Sequence, residues 1–292
     1  MSRLRCLAVL FFAAGSSSLL LAATGRIETS AAWAENINRA SSVVDWRDSM
    51  RYETRASLGL LKELRTGLTG AGEFGAGLEH VARFSKQDAA TLGFSGTLRQ
   101  KFGLGALAPS VSLDLGVRRR EARLSFDDGW TATAGLRLSK RLTQTLRAGI
   151  NGDWQQHYAR SDVFDTKHHR FFVTVAWDIF DWLQLSHGNG RLWGSFTANA
   201  SPTIWPRAIG GLLGTHISEY YNSVPWTVTD SYGPGWVTYI IDGRVSFYWI
   251  ELSPALGRNT SLPLRFENRV SVNKVGVKYR QDIWTLSLLH RF

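Results

Sequence analysis

Across residues 51–60 the chain alternates without a break. Even positions carry Tyr52, Thr54, Ala56, Leu58 and Leu60, and odd positions carry Arg51, Glu53, Arg55, Ser57 and Gly59. A period of two is the signature of a strand with one apolar and one polar face. The pattern returns as Ala90, Leu92, Phe94, Gly96, Leu98 and as Val111, Leu113, Leu115, Val117. After the Asp127-Asp128-Gly129 turn it continues as Trp130, Ala132, Ala134, Leu136, Leu138. Leu146, Ala148, Ile150, Gly152, Trp154 and Phe171, Val173, Val175, Trp177, Ile179 follow. Strands of about ten residues repeated in this way allow a soluble sandwich with its apolar faces inside, or a transmembrane barrel with those faces toward lipid. A helical membrane protein is excluded, because no stretch after Ala34 provides eighteen apolar residues and mean hydropathy is −0.14.

The N-terminus reads as an export signal. Arg3 and Arg5 precede an apolar run at 7–14, a serine interruption at 16–18 and a second apolar run at 19–23. Ala32-Trp33-Ala34 is the best small-x-small cleavage site, with Leu21-Ala22-Ala23 a weaker one. This reading assigns 1–34 to the signal peptide, 35–49 to a short N-terminal segment and 50–292 to the barrel. The single cysteine, Cys6, would leave with the signal, which removes thiol chemistry, disulfides and cysteine metal sites. The whole-chain charge of +10 would fall to +8 with loss of Arg3, Arg5, Arg26 and Glu28.

Three features favour the membrane over the sandwich. The polar faces are rich in Gly, Ser and Thr, which suits a hydrated lumen. Trp130, Trp154, Trp177, Trp182, Trp193, Trp236, Trp249 and Trp284 fall on or near expected strands, where interfacial girdles lie. Finally, counting back from Phe292, alternate positions are His290, Leu288, Leu286 and Trp284. This ending resembles the terminal strand of bacterial outer-membrane β-barrel proteins, although His290 stands where that pattern has an aromatic or aliphatic residue. The resemblance implies an all-β, transmembrane, antiparallel up-and-down barrel in the outer membrane. It also implies the barrel-assembly machinery as a partner, with Phe292, Leu288, Leu286 and Trp284 as the assembly signal.

Strand segments are expected at 50–61, 72–83, 89–102, 111–126, 129–139, 144–158, 169–180, 183–198, 236–252, 262–272 and 275–292. Asp242-Gly243 could split the ninth into a hairpin, and Gln281-Asp282 could mark a bulge or turn in the last. Twelve strands is the estimate, with ten or fourteen also open. Residues 199–235 hold four prolines and five glycines without alternation. They read as a long loop, with room for a short strand at 217–221, that folds into the lumen or covers its mouth.

The polar faces carry Arg51, Arg55, Arg99, Lys101, Arg118, Arg137, Arg147 and Arg170 against Glu53, Asp114, Asp153 and Asp178. Arginines around a hydrated channel concentrate anions, so the leading expectation is a porin-like channel for small or acidic solutes, acidic oligosaccharide among them. Arg118-Arg119-Arg120 with Arg123 reads instead as a solvated or lipopolysaccharide-facing group. An outer-membrane lipid or lipopolysaccharide hydrolase is the first alternative, with His157, Ser161, Ser186 and His187 as candidate catalytic residues. The run Ser186-His187-Gly188-Asn189-Gly190 has its serine on the wrong side of the histidine for the phospholipase type of motif. A closed structural or adhesive barrel is the second alternative. No cofactor or metal is expected, since His157, His168 and His169 lack carboxylates at a defined spacing. Nucleic acid is not an expected partner, because the basic residues are spread over strand faces and not gathered in a patch. Outer-membrane lipid, lipopolysaccharide and a small or anionic solute are.

Overall fold

A computed structural model describes residues 21–292. In chain order its strands are β1 (Leu21–Ala34), β2 (Ser49–Arg65), β3 (Leu68–Val81), β4 (Ala89–Lys101) and β5 (Ser110–Ala122). There follow β6 (Gly129–Arg141), β7 (Leu146–Ala159), β8 (Thr166–Phe180), β9 (Leu183–Ala200), β10 (Trp226–Val228) and β11 (Val237–Pro254). The last are β12 (Thr260–Ser261), β13 (Leu264–Asn273) and β14 (Lys278–Arg291). Apart from the short β10 and β12, each strand pairs antiparallel with the next, and β1 pairs with β14 from Arg26↔Arg291 to Ala34↔Ile283. The result is a closed twelve-stranded up-and-down barrel with no free edge, which satisfies backbone groups without help from solvent.

Strand register assigns every side chain to one of two faces. On the outside Leu58 is 72% exposed, Leu78 67% and Phe94 57%, and Leu115, Leu136, Phe171, Ile250 and Leu286 continue the band around the wall. An apolar girdle of this extent is untenable in water and is the surface a bilayer covers. Trp130, Trp177, Trp182, Trp193 and Trp284 are among its exposed members. Trp236 and Trp249 depart from the expected girdle. Trp236 is buried in a loop under the Arg47 guanidinium, and Trp249 stands on the inner wall with Arg265 over its ring at 4.3 Å.

The strand total agrees with the estimate, but the twelfth strand is not where the sequence placed it. Asp242-Gly243 makes no turn, because both residues continue the β11 pairing with β9. Gln281 and Asp282 likewise continue β14 and pair with Arg269 and Asn268. The additional strand is β1. In the sequence it resembles the end of a signal, because its outward positions include Gly25, Thr29 and Ala31, which are small and obscure the alternation. The barrel therefore includes Leu21–Ala34, ahead of the expected boundary at 50. Cleavage after Ala34 would remove β1 and leave both β2 and β14 as open edges. The basic start and first apolar run of the expected signal lie outside the described residues. Arg26 and Glu28 cancel, so retaining them leaves the expected charge excess unchanged.

The two longest connections, 35–48 and 201–236, lie at the end of the barrel opposite Leu21 and Phe292. There the segment between β9 and β11 forms a cap. It contains α1 (Trp205–Ile209), α2 (Thr215–Ser223) and β10, so a helix occupies 217–221 where a short strand was expected. Trp205, Ala208 and Tyr221 pack on Phe196, Val237, Tyr239, Ile241 and Tyr279 of the inner wall. The first hairpin loop, 35–48, fastens this cap. Asn199 Nδ2 donates to the Asn38 carbonyl at 2.8 Å, and the Ser201 amide donates to Asp45 Oδ2 at 2.8 Å.

Candidate functional site: the barrel lumen

All eight basic residues singled out in the sequence occupy inward register positions. Arg51 and Arg55 share the phase of buried Ser57, Arg99 pairs with buried Ser112, and Arg118 pairs with buried Thr131. Lys101 pairs with buried Ser110, Arg137 and Arg147 share the phase of buried Asn151, and Arg170 pairs with Asp153 in that same phase.

Four of them have acidic partners. Arg51 lies 3.1 Å from Glu79, Arg55 3.7 Å from Glu53 and Arg137 3.8 Å from Asp114. Arg170 grips Asp153, its Nε at 3.0 Å and its Nη2 at 2.9 Å from Oδ2. Arg99, Lys101, Arg118 and Arg147 have no ion-pair partner among the described residues, and the Arg118 Nε is buried without a hydrogen bond. Four of these eight cations are thus neutralised by carboxylates on the same wall and four are not.

Near the capped end the wall carries a network that sequence reasoning missed. Arg120 is inward, not solvated or lipopolysaccharide-facing as expected, and bonds Glu79 Oε2 and Asp127 Oδ2, each at 2.8 Å. Arg119 does point outward, with its guanidinium 5.8 Å from the Trp130 ring. Asp127 also receives His157 Nε2 at 3.2 Å, while His157 Nδ1 is 2.9 Å from Thr131 Oγ1. Burial opposes ionisation of Asp127, but hydrogen bonds from His157 and Arg120 outweigh it and hold the carboxyl below the ordinary aspartate value. The alternation Arg118, Arg119, Arg120 contained this answer, since one member of the run must face opposite to the other two.

The candidate hydrolase residues are not brought together. Ser186 is buried on the inner face and His187 is exposed on the outer one, as adjacent strand residues must be. His157 bonds Thr131 and Asp127, and Ser161 lies in the following loop, where its carbonyl accepts from the Phe164 amide. His168 and His169 take opposite faces of β8. Trp284, Leu286 and Leu288, expected from the sequence to form the assembly signal, are all exposed on the outer face of β14, and the Phe292 amide donates to the Gly25 carbonyl at 2.9 Å.

Two of the hollows inside share Arg39, His168 and Phe196 in their linings. One, of about 430 Å³, is bordered by Arg39, Arg51, Arg118, Arg120 and His157; the other, of about 250 Å³, by Arg39, Arg170, Leu192, Phe247 and Arg269. Arg39 hangs into both from the first hairpin loop, where its φ is 50°.

An apolar outer band around a polar, basic interior defines a transmembrane β-barrel of the outer-membrane type. No protein-family model and no curated protein matches the chain. Among solved structures it is similar to an outer-membrane channel from Pseudomonas putida F1, with a TM-score of 0.55 and 10% identity over 92% of this chain and 95% of that one. The NanC porin gives a TM-score of 0.47 at 10% identity over 90% and 98% of the two chains. The KdgM porin gives 0.42 at 9% identity over 91% and 99%.

Proposed function

We propose that this protein is a passive, porin-like channel of the bacterial outer membrane that prefers small anionic solutes. The observation that carries the reading is the set of four lumen cations, Arg99, Lys101, Arg118 and Arg147, without ion-pair partners among the described residues. Fixed positive charge on a narrow low-dielectric wall raises the local concentration of anions and repels cations. The channel fold shared with the Pseudomonas protein supports passage as the task. Lipid and lipopolysaccharide are the partners of the outer band, and the barrel-assembly machinery is the partner of the strand ending in Trp284, Leu286, Leu288 and Phe292.

Planar-bilayer recording under a salt gradient tests this. A reversal potential toward anion preference is the expected result, and cation preference overturns it. A closed structural barrel is the second reading, favoured by the cap of α1, α2 and β10 across one mouth. Complete absence of conductance would replace the channel with that reading.

A further inference from the structure

The smaller hollow has two unlike sides. Where β8, β9 and β11 meet, Phe172, Leu192, Val245, Phe247 and Trp249 make an apolar, aromatic stretch of inner wall, bordered on β8 by Arg170 and His168. Phe172 and Phe247 both pair with Gly190, one from each neighbouring strand, and their rings are 6.1 Å apart. One row beyond, Trp249 lies across Gly188, where a Cβ would fall 2.4 Å from the indole. The two glycines that looked like part of a hydrolase motif therefore form a bare strip of backbone on which aromatic side chains lie flat. Leu192 and Val245 pair beside them, and Phe196 continues the surface toward the cap.

Next to it the wall turns cationic on β13, where Arg269 is the register partner of Phe247 and Arg265 lies over the Trp249 ring. Glu267 is engaged by Arg265 at 3.0 Å and Arg269 at 2.5 Å, so its charge is spent on them. Arg170 belongs to β8 itself, where its guanidinium lies 4.8 Å from the Phe172 ring and is held by Asp153. Arg39 has no carboxylate partner among the described residues. Enclosure in the lumen, with the Arg269 and Arg51 guanidiniums nearby, brings Arg39 down to about 10, so it remains charged at neutrality.

From this juxtaposition we propose that the hollow binds an amphiphilic organic anion, an aryl or short alkyl carboxylate. Its apolar end rests on Phe247, Leu192 and Val245, and its carboxylate faces Arg39 and Arg269. The proposal rests on the anion-channel reading for how the ligand arrives, but binding itself needs no conduction. A volume of about 250 Å³ has room for a single ring, since a protein cavity of roughly 150 Å³ accepts benzene. A fully hydroxylated sugar acid would leave its hydroxyls unpaired against the aromatic wall.

The experiment is calorimetric titration of the folded barrel in a non-ionic detergent with benzoate, acetate and benzyl alcohol. Folding of each variant is checked by its heat-dependent gel migration. Benzoate is expected to bind about tenfold or more tightly than either of the others, a difference of about 1.4 kcal/mol. Phe247→Ala should bring benzoate down to the level of acetate, and Arg39→Gln should weaken both acids and leave benzyl alcohol unchanged. Equal binding of acetate and benzoate, equal binding of benzyl alcohol and benzoate, or no binding of benzoate overturns the proposal. A barrel that conducts chloride without binding benzoate keeps the channel and loses this site. One that binds benzoate without conducting keeps the site and loses the channel.

Discussion

The hydroxyls of Tyr221 and Tyr279 lie 2.9 Å apart inside the barrel and join α2 of the cap to the wall strand β14. Tyr279 also lies 3.5 Å from the Tyr239 hydroxyl, so one phenol serves two others in a buried setting. Tyr279→Phe should therefore cost about 1–3 kcal/mol, mostly by leaving buried hydroxyls unpaired. The expected readout is faster protease nicking within 201–236 with an intact barrel band on gels. A parent-like nicking rate would show that this contact does not hold the cap.

The β1–β14 seam gives a second expectation. A chain beginning at Leu21 should refold in lipid vesicles and show the compact, heat-shifted migration of a closed barrel. One beginning at Glu35 should not, because β14 then loses all nine of its register partners on β1. Equal folding of the two chains would place closure elsewhere.

Gly190 is a close-approach site, with Phe171 O and Phe172 Cβ both 2.4 Å from where a Cβ would stand. Backbone must move to admit even a methyl group, so Gly190→Ala should destabilise the barrel by about 1–3 kcal/mol. Urea titration in vesicles reads this directly. At Gly152 no atom lies within 4 Å of an added Cβ, so Gly152→Ala serves as the neutral control.

Asp127 sets an acid limit. Its folded value is depressed, so the stability it contributes is present above the ordinary aspartate value of about 3.9 and disappears as pH falls through the lower folded value. The parent should lose more stability between pH 5 and roughly 2 than Asp127→Asn does, with urea midpoints across that window as the measurement. Parallel pH profiles for the two proteins would remove Asp127 from the account.

The lumen charges predict a pair of opposite effects on selectivity. Arg147→Ala removes an unpaired cation and should lower the chloride-to-potassium permeability ratio. Asp114→Asn releases Arg137, now 3.8 Å from that carboxylate, and should raise it. Reversal potentials under one salt gradient compare both with the parent, and a shift of the same sign in both would contradict a charge-set filter.

The barrel was legible in the sequence because strand phase is a local property: a run such as Trp130, Ala132, Ala134, Leu136 declares its outward face without reference to any neighbour. The same phase put the eight lumen cations on the correct wall. What was not legible depends on who stands opposite. Arg120 sits in a basic run that looks solvated until Glu79 and Asp127 arrive from other elements. Gly188 and Gly190 look like motif residues until Trp249 and Phe247 are paired across from them. β1 was missed for the opposite reason, since small residues at Gly25, Thr29 and Ala31 carry little phase information and also fit a cleavage signal.

The seam also governs the order in which the molecule can form. Hairpins such as β2–β3 need only residues close in sequence and can assemble early. The bond from Asn36 Nδ2 to the Arg280 carbonyl spans 244 positions and belongs to the last event. Until β14 is delivered, β1 stands as an exposed edge able to pair with the wrong chain. The closing step is thus the slow, vulnerable one, and the interval before it is when this barrel most needs an escort.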